Sequence, residues 1–407
     1  MIVIKKIILI LFFALCNFHL SVAQELDSLS NFSEIEILKP SIVSTHSFGI
    51  FFSRWQGNFK SHPSKGVLIN FNLESGNVWS PPVTAYIPNN QIDREYISQF
   101  DWHSREFKID VSTLDSKTLE VQNDGVIKGL RANVNFSLTK RSELKIGMRA
   151  FLLTKGKLPF SIFTSDESIE FFHDNIAGGD DPFDRKLYPF NEAKIRYKDR
   201  NDRVLNFENG DFSLSGFEFS YYYYPHNFLN QTKRLYMNFG SHLGLNTSKY
   251  NNSIDLGITA NLMKQYELKN NKNISLGLSI GSSRNSAINF KDSNIEFASN
   301  KFIGYLESIA EFSYVSKKKT KHSFGIDFYI QTSLNKKSEF DYLIPTKNGV
   351  SFKSWNSGTS NLYKNNNYWT LMYSFEKKIT TTFYLQQDLT VNNNPDLQTG
   401  INVTFNL

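Results

Sequence analysis

The sequence predicts an all-β protein: an antiparallel transmembrane β-barrel of the outer membrane of a Gram-negative bacterium, with about sixteen strands (twelve to sixteen) and long outer loops. Three observations favour this fold. Apolar and polar residues alternate strictly in consecutive segments, a secretory signal begins the chain, and the alternation continues to the last residue. Most of the alternating segments reach the roughly 9–11 residues that a tilted strand needs to cross a bilayer.

The clearest alternation lies in three runs between residues 235 and 280. Apolar side chains occupy the odd positions of 235–245, except Ser241, and the even positions of 254–262 and 274–280. The intervening positions are Gly, Ser, Asn and Thr, apart from Tyr236, His242 and Asp255. Successive side chains of a strand point to opposite faces, so each run has one apolar and one polar face.

Thirteen further segments alternate in the same way, which gives sixteen strand candidates, or fourteen if 192–208 stays in an outer loop. The last one ends in Ile401, Val403, Phe405 and Leu407. A soluble β-sandwich is the competing fold, but long strands, uncharged partner faces and export favour the barrel. The further candidates are residues 46–56, 65–74, 105–111, 126–139, 143–153, 192–199, 203–208, 212–224, 301–315, 321–334, 366–376, 380–391 and 398–407.

The N-terminus has the features of a signal peptide, residues 1–23. Lys5 and Lys6 precede an apolar run over 7–15, and Ser21-Val22-Ala23 is typical of a cleavage site. Acylation of Cys16 is the alternative, although the preceding Leu15 is larger than lipoprotein sites use. We expect residues 24–45 to be a periplasmic leader and 46–407 to be the barrel.

Without Lys5 and Lys6 the net charge of the chain falls from +6 to +4, and no basic face indicates binding of nucleic acid.

Connection lengths orient the predicted barrel, because periplasmic turns are short and outer loops long. Counting back from the last strand makes 376–380, 315–321, 268–273, 225–232, 201–202 and 140–142 periplasmic, and 283–300, 335–365 and 154–191 outer. The alternation of short and long connections fails at 75–103, a long connection that falls on the periplasmic side.

Within 75–103, the prolines of 79–88 argue against a central strand, and Asn90 can cap a short helix. A second short helix is expected at 166–173. Either insertion could fold into the lumen or lie at the surface.

The candidate functional residues are the polar side chains that would line the lumen: Arg131, Arg149, Asn238, His242, Asp255, Asp327 and Gln331. A constriction loop could be formed by His173, Asp174, Asp180, Asp181 and Arg185. No metal site is expected, and Asp180, Asp181 and Asp184 are only weak calcium candidates because they lack the ligand spacing of a calcium loop. His242 and Asp255 lie on adjoining strands, but no catalytic constellation stands out, so neither enzyme activity nor a cofactor is expected.

Residues 142–199 resemble an uncharacterised family of Gram-negative outer-membrane proteins. The resemblance rests on Glu143-Leu-Lys-Ile-Gly147, Gly156, Pro159, Ile169-Glu-Phe-Phe-His173, Gly179, Arg185, Pro189 and Ile195-Arg-Tyr-Lys-Asp199. The segment between Gly178 and Arg185 departs from the family pattern. The resemblance implies an outer-membrane barrel and supplies no catalytic residues.

The leading functional hypothesis is a passive, porin-like pore or transporter for small solutes, with selectivity set by lumen charges. The alternatives are a non-conducting barrel whose surface loops bind a partner or cell-surface polymer, and a barrel hydrolase. The expected partners are outer-membrane lipid, the barrel-assembly machinery and small-molecule solutes. The oligomeric state is left open.

Overall fold

The computed structural model describes residues 35–37, 39–40, 46–156, 163–176, 185–225, 233–346, 359, 362–388 and 397–407. In these ranges the helices are α1 (Gln91–Ser98), α2 (Trp102–Lys108) and α3 (Asp166–Asn175). The strands are β1 (Val67–Pro88), β2 (Ser116–Thr139), β3 (Ser142–Thr154), β4 (Lys194–Lys198), β5 (Val204–Glu208), β6 (Phe212–Tyr223), β7 (Leu235–Thr247), β8 (Asn252–Leu268), β9 (Lys272–Asn289), β10 (Phe302–Val315), β11 (Lys321–Gln331), β12 (Ile344–Pro345), β13 (Asn366–Glu376), β14 (Ile379–Asp388) and β15 (Leu397–Asn406).

Twelve of these strands form a closed antiparallel barrel. Their order around the ring is β1-β2-β3-β6-β7-β8-β9-β10-β11-β13-β14-β15, and β15 returns to pair with β1. At the closure, Phe71 is the partner of Val403 on one side and of Ala132 on the other. Closure leaves no strand edge within the ring. The predicted fold class is therefore confirmed, but the barrel has twelve strands rather than about sixteen.

Four strand candidates do not belong to the ring. Residues 46–56 form a short 3-10 helix at Gly49–Phe51 and extended chain inside the barrel. Residues 105–111 lie mostly in α2, which begins after Asp101. Residues 192–199 and 203–208 contain β4 and β5, a hairpin that pairs with Glu120–Asp124 of β2 outside the ring. The fourteen-strand alternative was right to leave this hairpin in an outer loop.

Residues 79–88, where the prolines argue against a central strand, lie outside the ring but are part of β1, which continues through Trp79 to Pro88. Pro81 and Pro82 fall at an irregularity in the β1–β2 register, between Ser80 and Val83. Beyond Gly76, β1 no longer pairs with β15, so the strand leaves the ring in an extension in which β1 pairs with β2 and, at Ala85 and Tyr86, with β12. Prolines are tolerated at bulges and on such edges.

This long β1–β2 extension also explains the phase failure at 75–103. The connection is an outer one: β1 rises from the end where β15 finishes, and Leu407 and Val67 bond each other there. The turn at 201–202 likewise lies at the outer end with β4 and β5. With the four non-barrel segments removed, the short turns after β2, β8, β10 and β13 all lie at one end, which is the periplasmic end.

The two faces of the barrel wall are those that the alternation predicts. Leu243, Leu256 and Leu276 point outward and are 40%, 43% and 42% exposed. Asn238 and Asp255, by contrast, are 1% and 0% exposed on the inner face. An apolar outer band around a polar interior is the arrangement of a barrel that faces lipid, and it confirms the outer-membrane localisation. Among the described helices, none is long and apolar enough to cross a membrane.

The larger apolar core lies at the outer end of the barrel, not in its wall. It joins Phe48 and Phe51 to side chains from several outer segments, such as Val83, Phe297 and Leu343. The ring of Phe51 stacks on that of Phe297 at a centroid distance of 5.8 Å. We call this group of side chains the outer cap. Asn90 caps α1 by accepting a hydrogen bond from the Asp93 N–H, as predicted.

Candidate functional site, the barrel lumen

The lumen contains described residues that precede β1 in the chain. These are residues 35–37, 39–40 and 46–64, which we call the lumen segment. The Ile37 N–H donates to the Phe59 carbonyl and the Ser61 N–H to the Ile35 carbonyl, so the two arms run antiparallel. The first arm starts near the periplasmic end, residues 48–52 lie in the outer cap, and the second arm descends to β1.

The upper part of the second arm is held by Asp255 and Arg149. The Ser53 N–H donates to Asp255 at 2.8 Å, and the Asn246 amide donates to the same carboxylate oxygen at 2.8 Å. The guanidinium of Arg149, which is 1% exposed, donates to the carbonyls of Ile50 and Phe52. Charged side chains of the wall therefore satisfy backbone groups that have no strand partner.

The middle of the arm meets carboxylates and amides of the wall. Glu218 accepts from the Arg54 N–H at 3.3 Å and pairs with Arg131 at 3.1 Å. The Gly57 N–H donates to Glu307 at 2.6 Å. The Asn58 N–H donates to Asn261 at 3.1 Å, while the Asn58 carbonyl accepts from Asn238 at 2.8 Å. These contacts come from strands on several sides of the ring, so the arm crosses the lumen instead of following one strand.

Inward glycines make room for the large side chains of the arm. Trp55 stacks on His242 at a centroid distance of 5.4 Å. A Cβ at Gly257 would lie 2.6 Å from the Trp55 ring, and one at Gly277 would lie 2.6 Å from the Phe59 ring. Close approach of this kind requires glycine.

The lower part of the lumen segment is held by buried ion pairs. Lys60 pairs with Glu143 at 3.3 Å, and the Ser64 N–H donates to the same carboxylate at 2.9 Å. Lys39 of the first arm pairs with Glu307, and its ammonium lies 3.8 Å from Asp327. Removing one partner of a buried pair is costly because an uncompensated charge remains.

The seven predicted lumen residues all lie on the inner face, and six of them contact the lumen segment. Asn238, His242, Asp255, Arg149 and Asp327 make the contacts given above, and Arg131 donates to the Arg54 carbonyl at 3.5 Å. Gln331 instead accepts a hydrogen bond from the Tyr329 hydroxyl at 3.1 Å. The sequence did not indicate that these side chains would bind another part of the chain. The inward glycines were the signal for it, because a large group must fill the space that they leave.

His242 does not form a catalytic pair with Asp255. Its ring nitrogens lie 2.8 Å from the Ser220 hydroxyl and 3.1 Å from the Thr259 hydroxyl. Asp255 is engaged by backbone and amide donors, among them the Ser286 N–H at 2.7 Å. Trp55 covers the imidazole, so the Ser220–His242 pair faces a side chain and not open solvent.

The residues of the predicted constriction loop are only partly described. Arg185 is buried at the outer end, where it pairs with Asp166 at 2.5 Å and lies 3.6 Å from Asp124. His173 and Asp174 lie at the end of α3, and Asp174 pairs with the exposed Lys186 at 2.5 Å. Asp180, Asp181 and Asp184 lie outside the described residues. In the described part of the chain no group of three or more His, Cys, Asp or Glu side chains could hold a metal ion.

A cavity of about 440 Å³ remains in the lower half of the lumen. Its walls include Lys145, Asn133 and Asn135 of the barrel and Arg54 and Lys60 of the lumen segment. Lys377 and Lys378 of the turn between β13 and β14 also line it, so it extends to the periplasmic rim. The lumen is therefore filled above and hollow below.

Comparisons with known proteins give matches to solved structures alone. No family model matches the chain, and no curated protein sequence matches it. An outer-membrane channel from Pseudomonas putida F1 aligns over 84% of this chain and 96% of its own, with 10% identity and a TM-score of 0.36. The transport unit of the autotransporter AIDA-I from Escherichia coli aligns over 84% and 91%, with 5% identity and a TM-score of 0.32.

An outer-membrane protein of Vibrio cholerae also aligns, over 84% of this chain and 100% of its own, with 7% identity and a TM-score of 0.24. Matches at these scores provide no residue-level correspondence. The barrel that the resemblance of residues 142–199 implied is nevertheless the fold observed. On its own geometry, the chain is a twelve-stranded transmembrane β-barrel of the bacterial outer membrane with an N-terminal segment inside its lumen.

Proposed function

We propose that the protein is a gated outer-membrane channel for small solutes and that the lumen segment is its gate. The observation that carries the proposal is the position of residues 53–64, which cross the lumen and contact the wall through side chain to backbone hydrogen bonds. A passive, permanently open pore does not fit this arrangement, since the outer cap and the lumen segment together fill the upper lumen.

The chemistry of the contacts favours a segment that can move. Its neutral hydrogen bonds contribute only about 0.5–1.5 kcal/mol net each, and those to charged groups about 1.5–3 kcal/mol each, because water replaces the lost partner when the segment leaves. The inner face that would then be exposed is mostly Asn, Ser, Thr and charged side chains, such as Asn238, Asn261 and Ser279. A smaller apolar group, which includes Met263 and Ile309, packs against Phe59. Such a mostly polar surface is stable in contact with water and is typical of the lining of a solute pathway.

A disulfide between the lumen segment and the wall tests the proposal. A Cβ on Gly57 would lie 2.8 Å from that of Ser279, about 1 Å less than the separation in a disulfide, and 2.5 Å from the Phe59 ring. A small shift of the arm together with that ring therefore allows the bond. The sole cysteine, Cys16, lies in the predicted signal, which leaves the engineered pair unambiguous. Purified Gly57→Cys/Ser279→Cys protein is measured in planar bilayers with and without reductant, beside the two single variants.

We expect channel openings from the reduced protein, none from the oxidised protein, and recovery when reductant is added. The single variants should conduct in both conditions. Equal conductance of the oxidised and reduced double variant would contradict gating by the lumen segment. No conductance in either state would contradict the channel itself.

A non-conducting barrel that binds a partner at its outer surface is the second candidate. It is favoured by the size of the outer structure, in which the β1–β2 extension, β4–β5 and α1 pack around one apolar core. A channel does not need so large a folded cap. Silence of the reduced protein in the bilayer experiment would move this candidate ahead of the channel.

A further inference from the structure

We infer that the lower lumen cavity binds a small hydroxylated anion, with its acid group on Lys145 and its hydroxyls on neighbouring amides. The site rests on the proposed position of the gate only in part: Arg54 of the lumen segment lines the cavity, and the cavity is present while that segment is in place. Binding can therefore be measured whether or not the barrel conducts.

Two of the cations that line the cavity form no ion pair with a described residue. Lys39 pairs with Glu307, Lys60 with Glu143, and Arg131 with Glu218. These pairs account for the acidic side chains of the interior part of the cavity wall apart from Glu36. Lys145 and Arg54 also line the cavity, and in the described part of the chain neither forms an ion pair.

Lys145 projects from β3 into this space. It lies on the same inward face as Glu143 and stands opposite Asn135 of β2 and Ser220 of β6. No hydrogen bond joins its ammonium to another described residue. Its charged neighbours are two ion pairs, Arg131 with Glu218 and Lys60 with Glu143, so each neighbouring carboxylate already has a cation partner. An ammonium in this position can bind a carboxylate or phosphate without displacing an existing pair.

Arg54 supplies the second observation. It is 7% exposed, and its Nε and Nη1 atoms are buried without a hydrogen-bond partner among the described residues. Its guanidinium lies 4.2 Å from the centre of the Tyr329 ring, which supports one face of the group and leaves its edge available. A buried donor without a partner is costly, so an acceptor supplied by a ligand would stabilise this side chain.

The amides of the cavity indicate that the ligand carries hydroxyl groups. Asn133 and Asn135 line the cavity beside Asn402 and Thr404. The Oδ1 atom of Asn135, directly across the sheet from Lys145, is buried and accepts no hydrogen bond from the described residues. An anion without hydroxyls could satisfy Lys145 but would leave this acceptor unpaired. A sugar acid offers both an acid group and donors for the amide oxygen.

Calorimetric titration of the purified barrel at constant ionic strength tests the inference, with glucuronate as the probe. Glucose has the hydroxyls without the charge, and acetate has the charge without any hydroxyl. We expect glucuronate to bind more tightly than either. Lys145→Gln should weaken glucuronate binding at least tenfold, since a charge-assisted bond is lost, and Lys145→Arg should retain most of the affinity.

Lys318→Gln is the matched control, because this exposed lysine lies in a periplasmic turn away from the cavity wall. It should bind glucuronate as the parent does. Heat-modified migration on gels checks that each variant remains a folded barrel. Equal binding by Lys145→Gln and the parent would overturn the site, as would no binding of glucuronate. Acetate or glucose binding as tightly as glucuronate would overturn the assignment of a hydroxylated anion.

Discussion

Replacing Arg149 with methionine should release the lumen segment from the barrel wall. Arg149 donates to the carbonyls of Ile50 and Phe52, and Met removes both bonds while keeping much of the apolar volume. Hydrogen bonds from a charged donor contribute about 1.5–3 kcal/mol each, so their loss should cost about 3 kcal/mol or more of docking energy. That energy corresponds to an increase of about two orders of magnitude in the undocked population.

A cysteine in the outer cap reports this population. Ser47 is 0% exposed and its hydroxyl has no hydrogen-bond partner among the described residues, so Ser47→Cys changes little in the docked state. A maleimide reagent reacts with the introduced thiol only when the cap opens, and the rate follows the open fraction when reclosing is fast. Arg149→Met in the Ser47→Cys background should therefore be labelled about a hundredfold faster than Ser47→Cys alone.

Arg234→Met in the same background is the control, because Arg234 is part of a periplasmic turn and pairs with Glu267. It should leave the labelling rate of the introduced thiol unchanged. Heat-modified gel migration separates release of the segment from unfolding of the barrel. Labelling of the Arg149→Met protein at the parental rate, with the barrel intact, would show that these contacts do not hold the lumen segment.

Two further perturbations address the wall and the outer structure. Leu276→Lys places a charge on the lipid face, which costs about 2–4 kcal/mol, and should lower the yield of heat-resistant barrel. Thr380→Lys, on the cavity wall, should leave that yield unchanged. Equal losses in the two variants would mean that the faces are assigned wrongly. Asn90→Ala removes the cap of α1 and should cost about 1 kcal/mol of local stability, seen as faster amide exchange in α1 and unchanged exchange in β7.

The sequence predicts the twelve wall strands well because lipid outside and polar groups inside impose a period of two on each of them. The same alternation wrongly predicts a strand in segments that have no neighbouring strand to pair with. In residues 46–56 the alternating apolar side chains Phe48, Ile50 and Phe52 pack in the outer cap, and wall side chains bind the backbone. In 105–111 the alternating residues lie instead in α2, a helix that starts at Trp102 and ends at Lys108.

In an open lumen, a lysine that replaced Thr259 or Ser275 would point into water and be tolerated. Because the lumen is filled, we do not expect that tolerance here. Thr259 accepts or shares a hydrogen bond with His242, and Ser275 is 1% exposed. The cavity wall is instead the place where an inward charge fits, which is why Thr380 is the better control. Alternation specifies which face a residue occupies, but it does not specify what lies against that face.

The inner face of the barrel has two features that an open pore would not need: carboxylates that bind backbone N–H groups, and glycines that leave space for large side chains. Asp255, Glu218 and Glu307 are each directed at a backbone N–H of residues 53–57. Gly244, Gly257 and Gly277 lie in adjacent strands, and a Cβ on any of them would collide with Ser53, Trp55 or Phe59. In a water-filled lumen neither feature has a structural purpose, because water satisfies carboxylates and leaves room for larger side chains. Carboxylates and glycines that recur on the inner faces of neighbouring strands are therefore a sequence signal for a segment of chain inside a barrel.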